Sequence, residues 1–258
     1  MCLLAFSYDA TPTHSLVFAG NRDEFYDRPT APAAVWEDAP HVLGGRDLKA
    51  GGTWMGVTRT GHWGVVTNIR EPDAYHPDAR SRGALVADYL RDEPPPEQYL
   101  EALASEADRY NGFNLLVGTP TSLYYYSNRE SGVHAVQPGI HGLSNDRLDT
   151  PWPKVERATA RLRARLDQEE PSPEALLELL NDRRPAPEDQ LPDTGLGPER
   201  ERMLSSVFIE GERYGTRAST ILLIGRDGTV TFVERTFERG EPVDTRRFTF
   251  EVTARSGV

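Results

Sequence analysis

A single thiol stands at position 2, in the opening run MCLLAF, and a charged run, NRDEF, follows at 21 to 25 of the 258 residues. If residues 2–8 and 15–20 pair as a hairpin, the end of the second strand lies beside the start of the first. That pairing sets Arg22 and Asp23 against Cys2. A guanidinium beside a thiol favours the thiolate and lowers its pKa below about 8.5. Loss of Met1, which a small second residue permits, would expose an α-amine of pKa about 7.7–8.0, suited to act as base for its own side chain. Nucleophile and base would then come from one residue, the N-terminal form of nucleophilic catalysis. Acyl transfer also needs donors for an oxyanion. Asn68 in VVTNIRE and Asn145 in HGLSNDR both close expected strands, and Arg217 in YGTRAST precedes a strongly apolar one. Each residue also has a plain structural reading: Cys2 as a small apolar residue in a buried strand, NRDEF as a solvated loop, the asparagines as turn residues, Arg217 in an ion pair.

The elements that must place these residues follow from periodicity. CLLAFSY (2–8) and SLVFAG (15–20) are strand-length apolar runs around the turn chemistry of DATPTH. NRDEFYDRPTAPAA reads as a polar, proline-broken segment, leading through Trp36 to a loop bounded by Gly44-Gly45 and Gly51-Gly52. TWMGVT and HWGVVTNI form a second hairpin over Arg59, Thr60 and Gly61. From 82 to 109 apolar residues recur at helical spacing, with Pro94 to Pro96 dividing two helices. Four short strand runs between 113 and 145 read as an antiparallel meander. KVERATARLRARLDQ is a helix with Val155, Ala158, Leu162 and Leu166 inward, and PEALLELLND another. Residues 183 to 200 read as a long loop, and ASTILLIG, TVTFVERTF and RRFTFEV as three closing strands. Two strand blocks separated by helical pairs indicate an α+β protein, expected to be a single domain over 1–258.

Composition narrows the function. With 38% hydrophobic and 9% aromatic residues the chain has material for a packed core. A net charge of -11, with scattered arginines and only Lys49 and Lys154 as lysines, disfavours nucleic acid as a partner. No apolar run reaches the roughly 20 residues of a membrane span, and no signal-peptide pattern opens the chain, so a cytoplasmic location is expected. One cysteine excludes an intrachain disulfide and a multi-thiolate zinc site. The phosphate-loop, dinucleotide, HExxH and GxSxG signatures are all missing, and the six histidines lack metal spacing, so no cofactor is expected. Nothing in the sequence indicates an oligomeric state.

Taken together and in order, MCLLAF, NRDEF followed by DRP, GGTWMGV, TNIRE, GLSND and YGTRAST resemble the NRDE family, the transport and Golgi organisation protein 2 family. The resemblance runs from Cys2 to Arg217 and implies a fold similar to N-terminal nucleophile hydrolases: a four-layer αββα sandwich of two antiparallel sheets. More distantly the chain resembles cysteine amidases such as bile salt hydrolase and penicillin V acylase. That likeness implies catalytic roles for Cys2, Arg22, Asp23, Asn145 and Arg217; Asn21, Glu24 and Asn68 are expected to bind substrate. Those amidases space their Arg and Asp as RxxD, whereas Arg22 is followed directly by Asp23 and Glu24, which leaves Glu24 as a substitute for the orienting acid. The implied activity is hydrolysis of a linear, non-peptide amide, or acyl transfer, through Cys2 on a small-molecule substrate. The alternative is a non-catalytic binding or trafficking protein for a lipid, acyl-coenzyme A or haem-like ligand. Under it, Tyr124 to Tyr126 and the tryptophans would line the pocket instead of packing the core.

Overall fold

The computed structural model describes residues 2–168 and 170–254; the fate of Met1 lies outside the described residues. The first half comprises β1 (Cys2–Tyr8), β2 (His14–Phe25), β3 (Thr30–Val35), β4 (Val42–Asp47), β5 (Met55–Thr58), β6 (Trp63–Asn68), α1 (Arg82–Asp92) and α2 (Pro96–Ala104). Then follow β7 (Phe113–Thr119), β8 (Ser122–Ser127), β9 (His134–Ala135), β10 (Gly139–Leu143), α3 (Pro153–Leu166) and α4 (Pro173–Leu180). The chain closes with α5 (Pro198–Met203), β11 (Tyr214–Gly225), β12 (Thr229–Glu238) and β13 (Glu241–Glu251). Among the described residues the strands form two sheets, ordered β10-β1-β2-β11-β12-β13 and β3-β4-β5-β6-β7-β8-β9. All their pairings are antiparallel.

The first hairpin shows how sequence selects the layers. Successive strand side chains point to opposite faces. Leu4, Phe6, Leu16 and Phe18 enter the core between the sheets, where they meet Trp63, Val65 and Leu116 of the second sheet. Leu3, Ala5, Val17 and Ala19 face Val155, Ala158 and Leu162 of α3 and the leucines of α4. A strand covered on both faces has no place for alternating polarity, which is why CLLAF is apolar throughout. The second sheet is capped in the same way by α1 and α2, through Leu85, Val86, Tyr89 and Leu100. The result is the expected αββα sandwich.

Several local expectations give way. β2 does not stop before NRDEF but runs through it to Phe25, because β11 extends alongside and supplies backbone partners as far as Tyr214. The proline-broken segment contains β3, and the Gly44-Gly45 pair lies inside β4, not at a loop boundary. Pro32 is tolerated because β3 is the edge of its sheet and its register slips between Ala31 and Ala34. The four-run meander breaks after β9: β10 crosses to the other sheet and pairs with β1, Leu4 opposite Leu143. The segment 183–200 holds a single 3-10 turn and the first residues of α5.

Gly142, in β10, lets α3 approach the sheet. A Cβ there would stand 2.5 Å from Val155 Cγ1 and 2.7 Å from Thr159 Cγ2, both on stiff β-branched side chains. Gly142→Ala is therefore expected to cost about 1–3 kcal/mol through overpacking, seen as a lower midpoint in thermal unfolding.

Candidate functional site

Where β1 begins and β2 ends, the sheets part into a cleft of about 690 Å³. Its wall includes Cys2, Arg22, Asp23, Glu24 and Arg217 from the first sheet and Asn68 and Arg82 from the second sheet's side. Cys2 pairs directly with Arg22 across the ladder and is 7% exposed. Asp23 is buried, and its Oδ1 accepts a 2.7 Å hydrogen bond from the Thr216 hydroxyl, which in turn accepts from the Ile209 amide at 2.9 Å. Tyr214 donates its hydroxyl to the Asp23 carbonyl at 2.9 Å. Glu24 is less buried and lies 3.7 Å from both Arg22 and Arg28. Of the two adjacent acids, Asp23 is the one enclosed with the thiol.

Asn145 lies behind Cys2 rather than on the cleft wall. The Ser144 hydroxyl, 2.9 Å from the Cys2 carbonyl and 3.1 Å from Asn145 Oδ1, ties β10 to the start of β1. Asn145 Nδ2 donates to the Asn68 carbonyl at 2.9 Å, linking the two asparagines across the sheets. Asn21 is placed elsewhere. One residue out of phase with Arg22, it points to the helical layer, fully buried, and donates to the carbonyls of Leu180 and Val207 while accepting from Ser219. A substrate-binding role for Asn21 is corrected by that geometry to a packing role.

Arg217 sits in a register break of β11, between Thr216 and Ala218. Its Nη1 donates to the carbonyls of Phe25, Tyr26 and Arg28, at 2.9, 3.1 and 3.1 Å. It therefore clamps the segment that carries the chain from the first sheet to the second. Glu234 of β12 makes a second tie between the sheets, accepting from the Ala33 amide of β3 at 2.6 Å. The tyrosines Tyr125 and Tyr126 belong to the cores, not to the cleft.

Electrostatics overturn one expectation. Burial pushes the Cys2 thiol up, the chain's terminal ammonium pulls it down, the Asp23 carboxyl raises it again, and Arg22 pulls down less strongly. The guanidinium therefore does not yield a low-pKa thiol here, since removing charge from water outweighs the neighbouring cations. Burial also raises the Asp23 carboxyl and lowers the Arg82 guanidinium.

Sequence reading missed a polar cluster beneath Cys2. Arg70, which follows β6, forms a buried ion pair with Glu201 of α5 and stacks 4.7 Å over the Trp152 ring. Lys154, in the first turn of α3, is 1% exposed, and burial pulls its ammonium down to about 7, with Arg70 adding repulsion. A signal for Lys154 exists: it precedes Ala158, Leu162 and Leu166 by successive fours, so it belongs to the apolar stripe. Arg70 and Glu201 carry no such mark.

Two outcomes follow. Thr216→Val orphans the Ile209 amide and removes the hydroxyl from Asp23, at a cost of about 2–3 kcal/mol in denaturant unfolding, whereas Thr216→Ser keeps most of the stability. Lys154 is depressed in the fold, so between about 7 and its ordinary value of 10.5 the unfolded chain binds more protons and stability rises with pH. Lys154→Met removes that slope, so its stability relative to wild type should be highest near neutrality and fall as pH rises, as measured by guanidinium unfolding.

Comparison with known proteins bears on the family and the fold. The family model described as Transport and Golgi organisation 2 matches residues 1–239. The mouse Transport and Golgi organization 2 homolog is 34% identical, over 99% of this chain and 100% of its own. The Drosophila melanogaster Transport and Golgi organization protein 2 is 30% identical, over 94% of each chain. Among solved structures, the mutant C2A conjugated bile acid hydrolase from Clostridium perfringens superposes with a TM-score of 0.51 at 9% identity, covering 97% of this chain and 98% of that one. At that identity the likeness is one of fold alone. The chain belongs to the Transport and Golgi organisation 2 family.

Proposed function

We propose that the protein hydrolyses, or transfers the acyl group of, a linear non-peptide amide through Cys2. The observation that carries this reading is the position of the only cysteine: on the wall of a cleft, opposite Arg22 in the ladder and enclosed with Asp23. The solved structure of shared fold is named as a hydrolase and as the C2A mutant, which supports attention to a cysteine at the same place in the chain.

In the proposed reaction Met1 is removed and the Cys2 α-amine takes the thiol proton as Sγ attacks the amide carbonyl. The C–N bond breaks as that proton passes to the leaving nitrogen, leaving a thioester. Water, or an acceptor amine or alcohol, then attacks the thioester, and the proton it gives up restores the thiol. Asn68, on the cleft wall, is the proposed donor to the oxyanion, Asn145 positions it through the bond to its carbonyl, Asp23 orients the amine, and Arg22 faces the reacting sulfur. Arg217 acts at a distance by holding the cleft mouth. The wall carries basic side chains, among them Arg22, Arg28 and Arg82, beside acidic ones, among them Asp23, Glu24 and Asp47, which suits a polar substrate head better than an aliphatic body.

The test is intact-mass spectrometry of protein from its native host, before and during incubation with an activated acyl ester. The expected result is a chain lacking Met1 and an adduct on Cys2 that appears and then decays, absent in Cys2→Ala. Retained Met1 would remove the base and with it the mechanism. An adduct that never turns over would leave Cys2 a binding-site thiol.

A further inference from the structure

The least expected group beneath the cleft is Lys154. It is one of only two lysines in the chain, and its Nζ is fully enclosed with no hydrogen-bond partner among the described residues. It also occupies the first turn of α3, where the helix presents its positive end and disfavours a cation. An unpaired buried amine is costly. Packing does not call for it, because the positions it aligns with, Ala158 and Leu162, are apolar and fill the same face. Buried ionisable groups of this kind concentrate at functional sites.

The charged and titratable groups around it come from each element packed there. Cys2 on β1, Asp23 on β2, Arg70 after β6 and Glu201 on α5 act on Lys154 directly, and Arg22 on β2 and Tyr214 on β11 act on Cys2. Glu201 is already engaged by Arg70 and by the Thr194 amide at 3.0 Å. Asp23 is bonded to Thr216. Cys2 is the neighbour whose chemistry requires a change of charge.

We propose that Lys154 is a positioning residue for Cys2: the proton that the α-amine takes from Sγ is passed on to Nζ, so the thiolate stands with a buried ammonium, the α-amine is neutral again, and the cluster is activated without a change in net charge. The thiol with a neutral amine and the thiolate with an ammonium carry the same total charge. The second state alone supplies a nucleophile, and Asp23 helps hold it by favouring the ammonium. Without Lys154, the α-amine alone is left to hold the proton of a thiol whose ionisation burial already opposes. The purpose of the device rests on Cys2 being the nucleophile; its test does not.

That test is the rate of Cys2 alkylation by iodoacetamide, followed by intact mass across the range of about pH 6 to about pH 10, for wild type, Lys154→Met and Lys154→Arg. Loss of the amine should raise the apparent thiol pKa by about one unit and slow alkylation near neutrality about tenfold. Lys154→Arg, with a fixed cation, should keep alkylation at or above the wild-type rate near neutrality. Superimposable profiles for folded wild type and Lys154→Met would overturn the proposal. If Lys154→Met does not fold, Lys154→Gln, of similar length and neutral, takes its place with the same criterion. A shifted profile in a protein that turns over no amide removes the hydrolase reading and keeps the coupling. Amide turnover with an unshifted profile removes the coupling alone.

Discussion

The register between β1 and β2 is the constraint on which the rest depends. With Cys2 opposite Arg22, Leu4, Phe6, Leu16 and Phe18 are committed to the space between the sheets and Leu3, Ala5, Val17 and Ala19 to the helices. A slip of one residue would bury Arg22 against α3 and α4 and turn Phe6 and Phe18 out of the central core. The apolar pattern that stabilises the sandwich therefore also selects which groups reach the cleft. Stability and site geometry are two readings of one alignment.

Burial then governs the chemistry. The groups around Cys2 are held largely away from water, so each guanidinium, carboxyl or amine acts on its neighbours with little screening and itself resists charging. Arg22 alone does not activate the thiol, which is why the surrounding cluster matters more than any one partner. The Arg70–Glu201 pair and Lys154 lie on the helical side, where three elements distant in sequence converge.

What the sequence revealed follows from range. The β1–β2 hairpin, the helical pairs and the layered sandwich rest on local periodicity, and short stretches record them well. NRDEF stood out because charge at the end of an apolar strand is unusual. The departure of β10 to the first sheet is non-local, and nothing in GVHAVQPGIHGL distinguishes an added strand from a crossing one. β3 was hidden by Pro32, whose cost depends on an edge position that only the assembled sheet defines. Asn21 illustrates the other failure: it shares a motif with Arg22, but alternation along the strand sends it to the opposite face, where it bonds the helical layer. Arg70 and Glu201 look like ordinary surface charges until α5 folds over the end of β6.

The ties made by Arg217 and Glu234 have a consequence for the cleft mouth. Both reach from the first sheet to the segment that begins the second, one through three carbonyls and the other through a buried amide. Spreading the layers would strip all of these bonds at once, so the aperture is built as a fixed gauge and not as a jaw. A wider mouth would therefore have to come from re-cut side chains on the rim and not from parting the sheets.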